Sequence, residues 1–203
     1  MKKRGILIAI LLIFGIALFS ITEFVLKPRQ KEKAERYELE QQDAKTHDFK
    51  RVIKYKSKYM GDASNLINLT SNLPLSDIQR TAEINSERLE YIINYKAAAE
   101  DIGMDKIKSS LIYNASASFA LIENLKIITF NFSDGSYSIN RDDVEKWCNM
   151  ELSDLQDNNK WKENIQSKMH DEVYIDKSFN SLFQMSGARH LTFLLVKKLL
   201  IFV

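Results

Sequence analysis

An uncharged run over residues 5–22 constrains this chain more than any other feature. Lys2, Lys3 and Arg4 precede it, Glu23 interrupts it, and Phe24, Val25 and Leu26 extend it. Eighteen helical residues reach ~27 Å and twenty-two reach ~33 Å, against a hydrocarbon core of ~30 Å. A lone segment satisfies its backbone inside lipid only as a helix. A cleaved signal peptide and a buried soluble helix are the rival readings. The run exceeds the usual core of a signal peptide, roughly 7–15 residues, and Leu18, Phe19 and Ser20 make a poor cleavage end. No cysteine stands at its end, which excludes a lipoprotein anchor. The sequence therefore predicts an uncleaved transmembrane signal-anchor over residues 1–26. Gly5, Ile6, Leu7, Phe14, Phe19 and Leu26 are among its anchor residues.

Orientation is set by export rather than by charge, because basic residues flank both ends. A signal-anchor exports the chain on its C-terminal side. The protein is expected to cross the cytoplasmic membrane once, with its body on the extracytoplasmic side. That leaves no room for a cytosolic signalling domain of its own.

Charge divides the remainder. Residues 27–60 hold eleven basic and six acidic side chains, whereas residues 62–123 hold five and nine. The near-neutral total of +2 thus hides a basic collar and an acidic body. Residues 27–48 read as a polar basic stalk, helical from about residue 30, with Pro28 marking a break after the membrane helix. The basic region from Lys27 to Lys58 could attract anionic headgroups or anionic wall polymers, at about 1 kcal/mol per basic residue near the surface. The plainer alternative is a solvated spacer, since acidic residues are interleaved. Nucleic acid is not an expected partner, because no recognition motif accompanies the charge.

Residues 49–172 read as one domain. Asp62 can cap a helix carrying Leu66, Ile67, Leu69 and Leu73. Residues 78–84 and 89–95 alternate like half-buried strands; with Ser86 and Glu87 as the loop, Ile84 faces Leu89. Asp105 can cap a helix to about residue 123 whose second half is apolar nearly all round, as in a helix buried on several sides. Asp134-Gly135 predicts a type I′ hairpin pairing Phe132 with Tyr137 and Phe130 with Ile139. Asn140 can cap a short helix with Val144 and Trp147 inward, and a last helix near residues 159–172 carries Trp161, Ile165 and Met169. Hairpins separated by helices suggest an α+β fold: a small antiparallel sheet with helices on one face. Residues 173–203 look foreign to this pattern, ending in an apolar stretch around two lysines, and are expected to be an atypical, disordered or aberrant tail, with a membrane-surface role or an added strand as the alternatives for the apolar end.

Tyr55-Lys56-x-x-Tyr59-x-Gly61-Asp62 and Asn72-Leu73-Pro74-Leu75 open a series of spaced blocks. Tyr113-Asn114-Ala115, Asp134-Gly135-x-Tyr137 and Arg141-x-Asp143-x-x-x-Trp147 come after them in order. Over roughly residues 50–165 the chain resembles a family of domains of unknown function found in membrane- or lipid-anchored extracytoplasmic proteins of Gram-positive bacteria. The resemblance implies an exported, anchored domain and carries no catalytic residues.

Candidate chemistry is thin. The six glycines form no phosphate-binding loop and no nucleophile elbow. His47, His170 and His190 are scattered over the stalk, a helix end and the tail, and Cys148 has no histidine near it in sequence. No catalytic, cofactor or metal residue is expected. The polar residues worth following are Tyr59, Asp62 and Asn114, in an interaction or structural role; the Asn114 amide is expected to satisfy a neighbouring turn, with the Tyr59–Asp62 turn as the candidate. The predicted function is a non-catalytic binding or interaction module at the cell envelope. An accessory subunit regulating an unidentified membrane protein, and an envelope hydrolase, are the alternatives.

Overall fold

The computed structural model describes residues 2–186. They form two compact units, divided after Glu40.

The first unit is helical throughout: α1 (Lys2–Ile21), a π-helical turn (Thr22–Leu26) and α2 (Lys27–Glu40). Twenty residues of α1 measure ~30 Å. The helix does not break at Pro28. Proline lacks an N–H and its ring crowds the carbonyl four residues back, and the wider π-helical turn directly upstream absorbs that misfit. Glu23, the one charge in the apolar stretch, pairs with Lys27 one turn on. The stalk ends at Glu40 rather than continuing as a helix to residue 48. Residues 41–48 belong to the second unit, where Gln41, Ala44 and His47 are buried.

The second unit begins with α3 (Lys50–Ile53) and α4 (Ala63–Thr70). Asp62 caps α4 as the sequence predicts, its carboxylate accepting from Asn65 N at 2.9 Å. Strands β1 (Arg80–Asn85) and β2 (Glu90–Tyr95) pair antiparallel, then α5 (Ala99–Ile102) and α6 (Met104–Leu121) lead into β3 (Ile127–Phe132). β4 (Gly135–Asn140) completes a hairpin with β3. The chain continues through α7 (Arg141–Cys148), a 3-10 turn (Leu152–Gln156), α8 (Asn158–Asn164), a second 3-10 turn (Gln166–His170), α9 (Glu172–Leu182) and β5 (Gln184–Ser186).

The five strands lie in sequence order in one sheet. The sequence predicts an antiparallel sheet, and three of its pairings are antiparallel, but β2 and β3 run parallel. The cause is α6. Its 18 residues carry the chain back ~27 Å along the sheet, so the next strand starts from the same end as the last. The supposed tail is not foreign before residue 187: α9 buries Ile175, Phe179 and Leu182, and β5 pairs with β4. The remaining tail lies outside the described residues.

Both hairpins keep the faces that the alternation predicts, but each register is shifted by two residues. Ile84 faces Tyr91, because the connection is residues 86–89 and closes through Leu89 in the left-handed region (φ 50°). Ser-Glu could not supply the positive φ that a two-residue loop requires. In the second hairpin Phe130 faces Tyr137 and Ile128 faces Ile139. Its loop is Ser133-Asp134, and neither residue has positive φ, so the turn is not type I′. Asp134 is recruited elsewhere: its carboxylate accepts from Ala99 N at 2.8 Å and Glu100 N at 3.2 Å, closing the start of α5. α6 starts early, at Met104, behind Gly103 (φ 100°), so Asp105 sits inside its first turn instead of capping it.

One hydrophobic cluster joins the inner face of the sheet (Tyr91, Ile93, Ile128, Phe130) to α6 and the surrounding helices. Nearly every position of α6 is buried, which accounts for its Ala and Ser content: small side chains let neighbours approach from several sides.

Replacing Asp134 by Ala removes two backbone N–H acceptors at once. It should lower the stability of the full-length chain by about 1 kcal/mol in denaturant titration. The exposed Glu87→Ala control should change it by less than about 0.5 kcal/mol.

Candidate functional site

The polar side of the sheet carries the most extended arrangement. Register alone puts Thr81, Asn94, Asn131, Ser136 and Ser186 in one row, and Glu83, Ile92, Thr129, Ser138 and Gln184 in the next. The Ser136 hydroxyl donates to Asn131 Oδ1 (2.6 Å), Asn131 Nδ2 to Asn94 Oδ1 (2.7 Å), and Asn94 Nδ2 to Glu83 Oε1 (2.9 Å). Four strands are thus tied by a chain of donors that all point toward one carboxylate, and each bond polarises the next. Beside it the Thr129 hydroxyl donates to the buried Glu90 carboxylate (2.7 Å), which Arg88 pairs from outside (3.1 Å). Such a face offers amide and hydroxyl groups in a fixed array. Its amides and hydroxyls are of the kind that can hydrogen-bond an extended polar ligand.

A second polar arrangement is buried. His47 Nε2 lies 2.7 Å from the Asn72 carbonyl, and His47 Nδ1 lies 2.9 Å from the Tyr113 hydroxyl. A carbonyl can only accept, so Nε2 carries the ring proton and Nδ1 accepts from Tyr113. Trp161 Nε1 donates to the same hydroxyl at 3.0 Å, and Phe49 stacks on the Trp161 ring at 3.9 Å. Burial drives the His47 pKa down to about 4 and pushes that of Tyr113 up. His47 thus lies in the packed body and not in a solvated stalk. Its neighbours in sequence, Ala44 and Phe49, are the available signal that the body has already begun.

Arg141 closes the other end of α6. Its guanidinium donates to the carbonyls of Phe119 (2.6 Å), Ile122 (2.5 Å) and Leu125 (2.7 Å), and it contacts Glu145. A cation among orphan carbonyls at a helix C-terminus is the favourable sign for the helix dipole. Sequence reasoning misses this role, because nothing local links residue 141 to residues 119–125.

The residues singled out in sequence are not brought together as one site. Tyr59 is exposed, and Asp62 is occupied as the cap of α4. The intervening turn is held by Asn124, whose Oδ1 accepts from Met60 N. Asn114 satisfies a different turn: its Nδ2 donates to the Pro74 carbonyl at 2.8 Å. That bond secures Leu75, which sits in the left-handed region (φ 67°), strained for a branched side chain. In α1 and the π-helical turn, Ile6, Phe14, Phe19 and Leu26 are exposed; the side chain of Leu7 lies outside the described residues.

Among the described residues, no group of three His, Cys, Asp or Glu side chains could hold a metal ion. His170 is exposed, and Asp171 is spent capping α9; His190 lies outside the described residues. Cys148 is half-buried, and burial pushes its thiol up to about 11.

Arg141→Leu removes the donor from the Phe119 and Leu125 carbonyls and leaves Ile122 O only its long bond from Leu125 N, and should cost about 2–3 kcal/mol in denaturant unfolding; Arg141→Lys should recover little of it, since one ammonium lacks the planar fork. Cys148, having almost no thiolate at pH 8, should resist iodoacetamide in the folded chain. Its rate should climb as pH approaches 11, and unfolding the chain at pH 8 should release it.

No curated protein and no solved structure matches the chain. A family model does, from Val52 in α3 to Asp142 at the start of α7. The matched segment contains β1 to β4 and α6, with the four-strand part of the polar face and Arg141, and leaves His47, Trp161, α9 and β5 outside. It bears out the resemblance read from the spaced blocks, over a shorter range that excludes Trp147. Residues 52–142 match the family DUF4825, a domain of unknown function.

Proposed function

We propose that this chain is a single-pass, membrane-anchored extracytoplasmic protein whose body is a non-catalytic binding module at the cell envelope. One observation carries the reading: the amino-terminal helix is long and apolar enough to cross a membrane, and its described large hydrophobic side chains are exposed. Ile6, Leu11, Leu12, Ile13, Phe14, Ile16 and Phe19 are each more than half exposed. In water that much uncovered apolar surface is unfavourable by ~25 cal/mol per Å², and lipid removes the cost.

Charge supports the interfacial side of this reading. α2 is solvent-exposed, with five basic side chains against four acidic, and residues 49–61 add Lys50, Arg51, Lys54, Lys56 and Lys58 without one acidic residue. Anionic headgroups or wall polymers are the matching partners. The binding surface of the module is the polar face of the sheet. His47, Arg141 and Cys148 are engaged in packing or in holding backbone carbonyls, which supports binding over catalysis.

Fractionation and protease treatment test the placement. The full chain should stay with membranes after alkaline carbonate washing, and external trypsin should degrade its body in intact cells stripped of wall. Recovery in the soluble fraction removes the anchor, and digestion only after lysis reverses the orientation.

A further inference from the structure

We propose that His47 is an acid-sensitive latch that fastens residues 41–49, the first segment of the body after α2, onto α6 and α8. The latch is closed while the imidazole is neutral and opens when Nδ1 takes up a proton.

The geometry specifies one protonation state. Nε2–H donates to Asn72 O, Tyr113 O–H donates to Nδ1, and Trp161 Nε1–H donates to the Tyr113 oxygen. Every donor and acceptor in the trio is then matched. A proton on Nδ1 meets the hydroxyl proton of Tyr113, which must turn away into a fully buried environment. It also places a charge where His47 itself is 1% exposed. The charges acting on the ring are Asp48 and Arg51, of opposite sign and on its own stretch of chain. Tyr113 and Trp161, which face it from α6 and α8, are uncharged in the acid range, and the uncharged Gln166 amide meets the backbone carbonyl of His47, at 2.7 Å, and not its ring.

Uncharged groups also hold the segment, and Ala44 and Phe49 are buried in the core. Gln166 Nε2 reaches the carbonyls of Lys45 and His47, Gln42 meets Ser76, and Phe49 stacks on Trp161. Opening frees residues 41–49 between α2 and the rest of the body. The latch lies wholly within the second unit and does not depend on membrane placement.

Linkage sets the sign. Burial depresses the ring's pKa in the closed state, so the open state binds the proton better. The closed state is fully favoured above about pH 6.5 and loses up to about tenfold in its equilibrium constant per pH unit as pH falls toward 4.

Hydrogen–deuterium exchange of the full-length chain in detergent micelles, normalised for intrinsic rates between about pH 7.5 and 4.5, reads the opening. Protection over residues 41–49 should fall by up to about tenfold per pH unit below about pH 6.5, while α6 stays protected. His47→Gln keeps a donor toward Asn72 and an acceptor toward Tyr113 without a titrating ring, and should flatten the profile. Tyr113→Phe is the second variant: it should lower protection already at neutral pH and make the acid loss level off at higher pH. Wild-type protection that does not change with pH overturns the latch, and so does a His47→Gln chain with the wild-type pH dependence.

Discussion

A helix buried on nearly all sides cannot leave polar groups to water, and α6 is such a helix. Its partners organise the body. Tyr113 meets His47 and Trp161, Asn114 holds the carbonyl before the strained Leu75, and Gln156 donates to the Ala120 carbonyl at 2.8 Å. Arg141 gathers the carbonyls at its C-terminal end. Segments far apart in sequence are therefore fixed to one another by the need to satisfy a single buried element. α6 also returns the chain along the sheet and makes the central strand pair parallel, so it sets topology as well as packing.

The polar groups sort by burial. On the open side of the sheet, amides and hydroxyls bridge four strands and remain half-accessible, so they stiffen the sheet and still present a surface. Beneath the helices, His47, Tyr113, Trp161 and Arg141 meet backbone carbonyls or one another, whereas Ser110 Oγ, Ser116 Oγ and Asn114 Oδ1 on α6 find no partner among the described residues; His47 is kept neutral by its surroundings. Accessible polar groups thus lie on the open face, and the buried histidine lies in the trio beneath the helices.

Element types are largely legible because they are local. Alternation identifies β1 to β4 and their inward faces, the apolar periodicity of α6 announces its burial, and Asp62 signals the start of α4. Registers are less legible, since the loops that set them depend on Leu89 and on Asp134, whose carboxylate serves α5 thirty-five residues upstream. A turn motif competes poorly with two tertiary hydrogen bonds. The site is the least legible part. His47 sits in a polar stretch whose composition resembles α2, and its nearest partner along the chain, Asn72, is twenty-five residues away, with Tyr113 and Trp161 farther still.

By itself the sequence determined the features that depend on near neighbours: a helix long and apolar enough to cross a bilayer, a basic stretch after it, the order of the main helices and strands before α9, and which side of β1 to β4 is greasy. These arise from backbone periodicity and the sign of each side chain. Tertiary structure alone decided that β2 and β3 run parallel, that residues 41–48 join the body, that Arg141 closes α6, and that one histidine is held without charge. Those outcomes depend on which donor reaches which acceptor across the folded chain, and spacing along the sequence does not encode that distance.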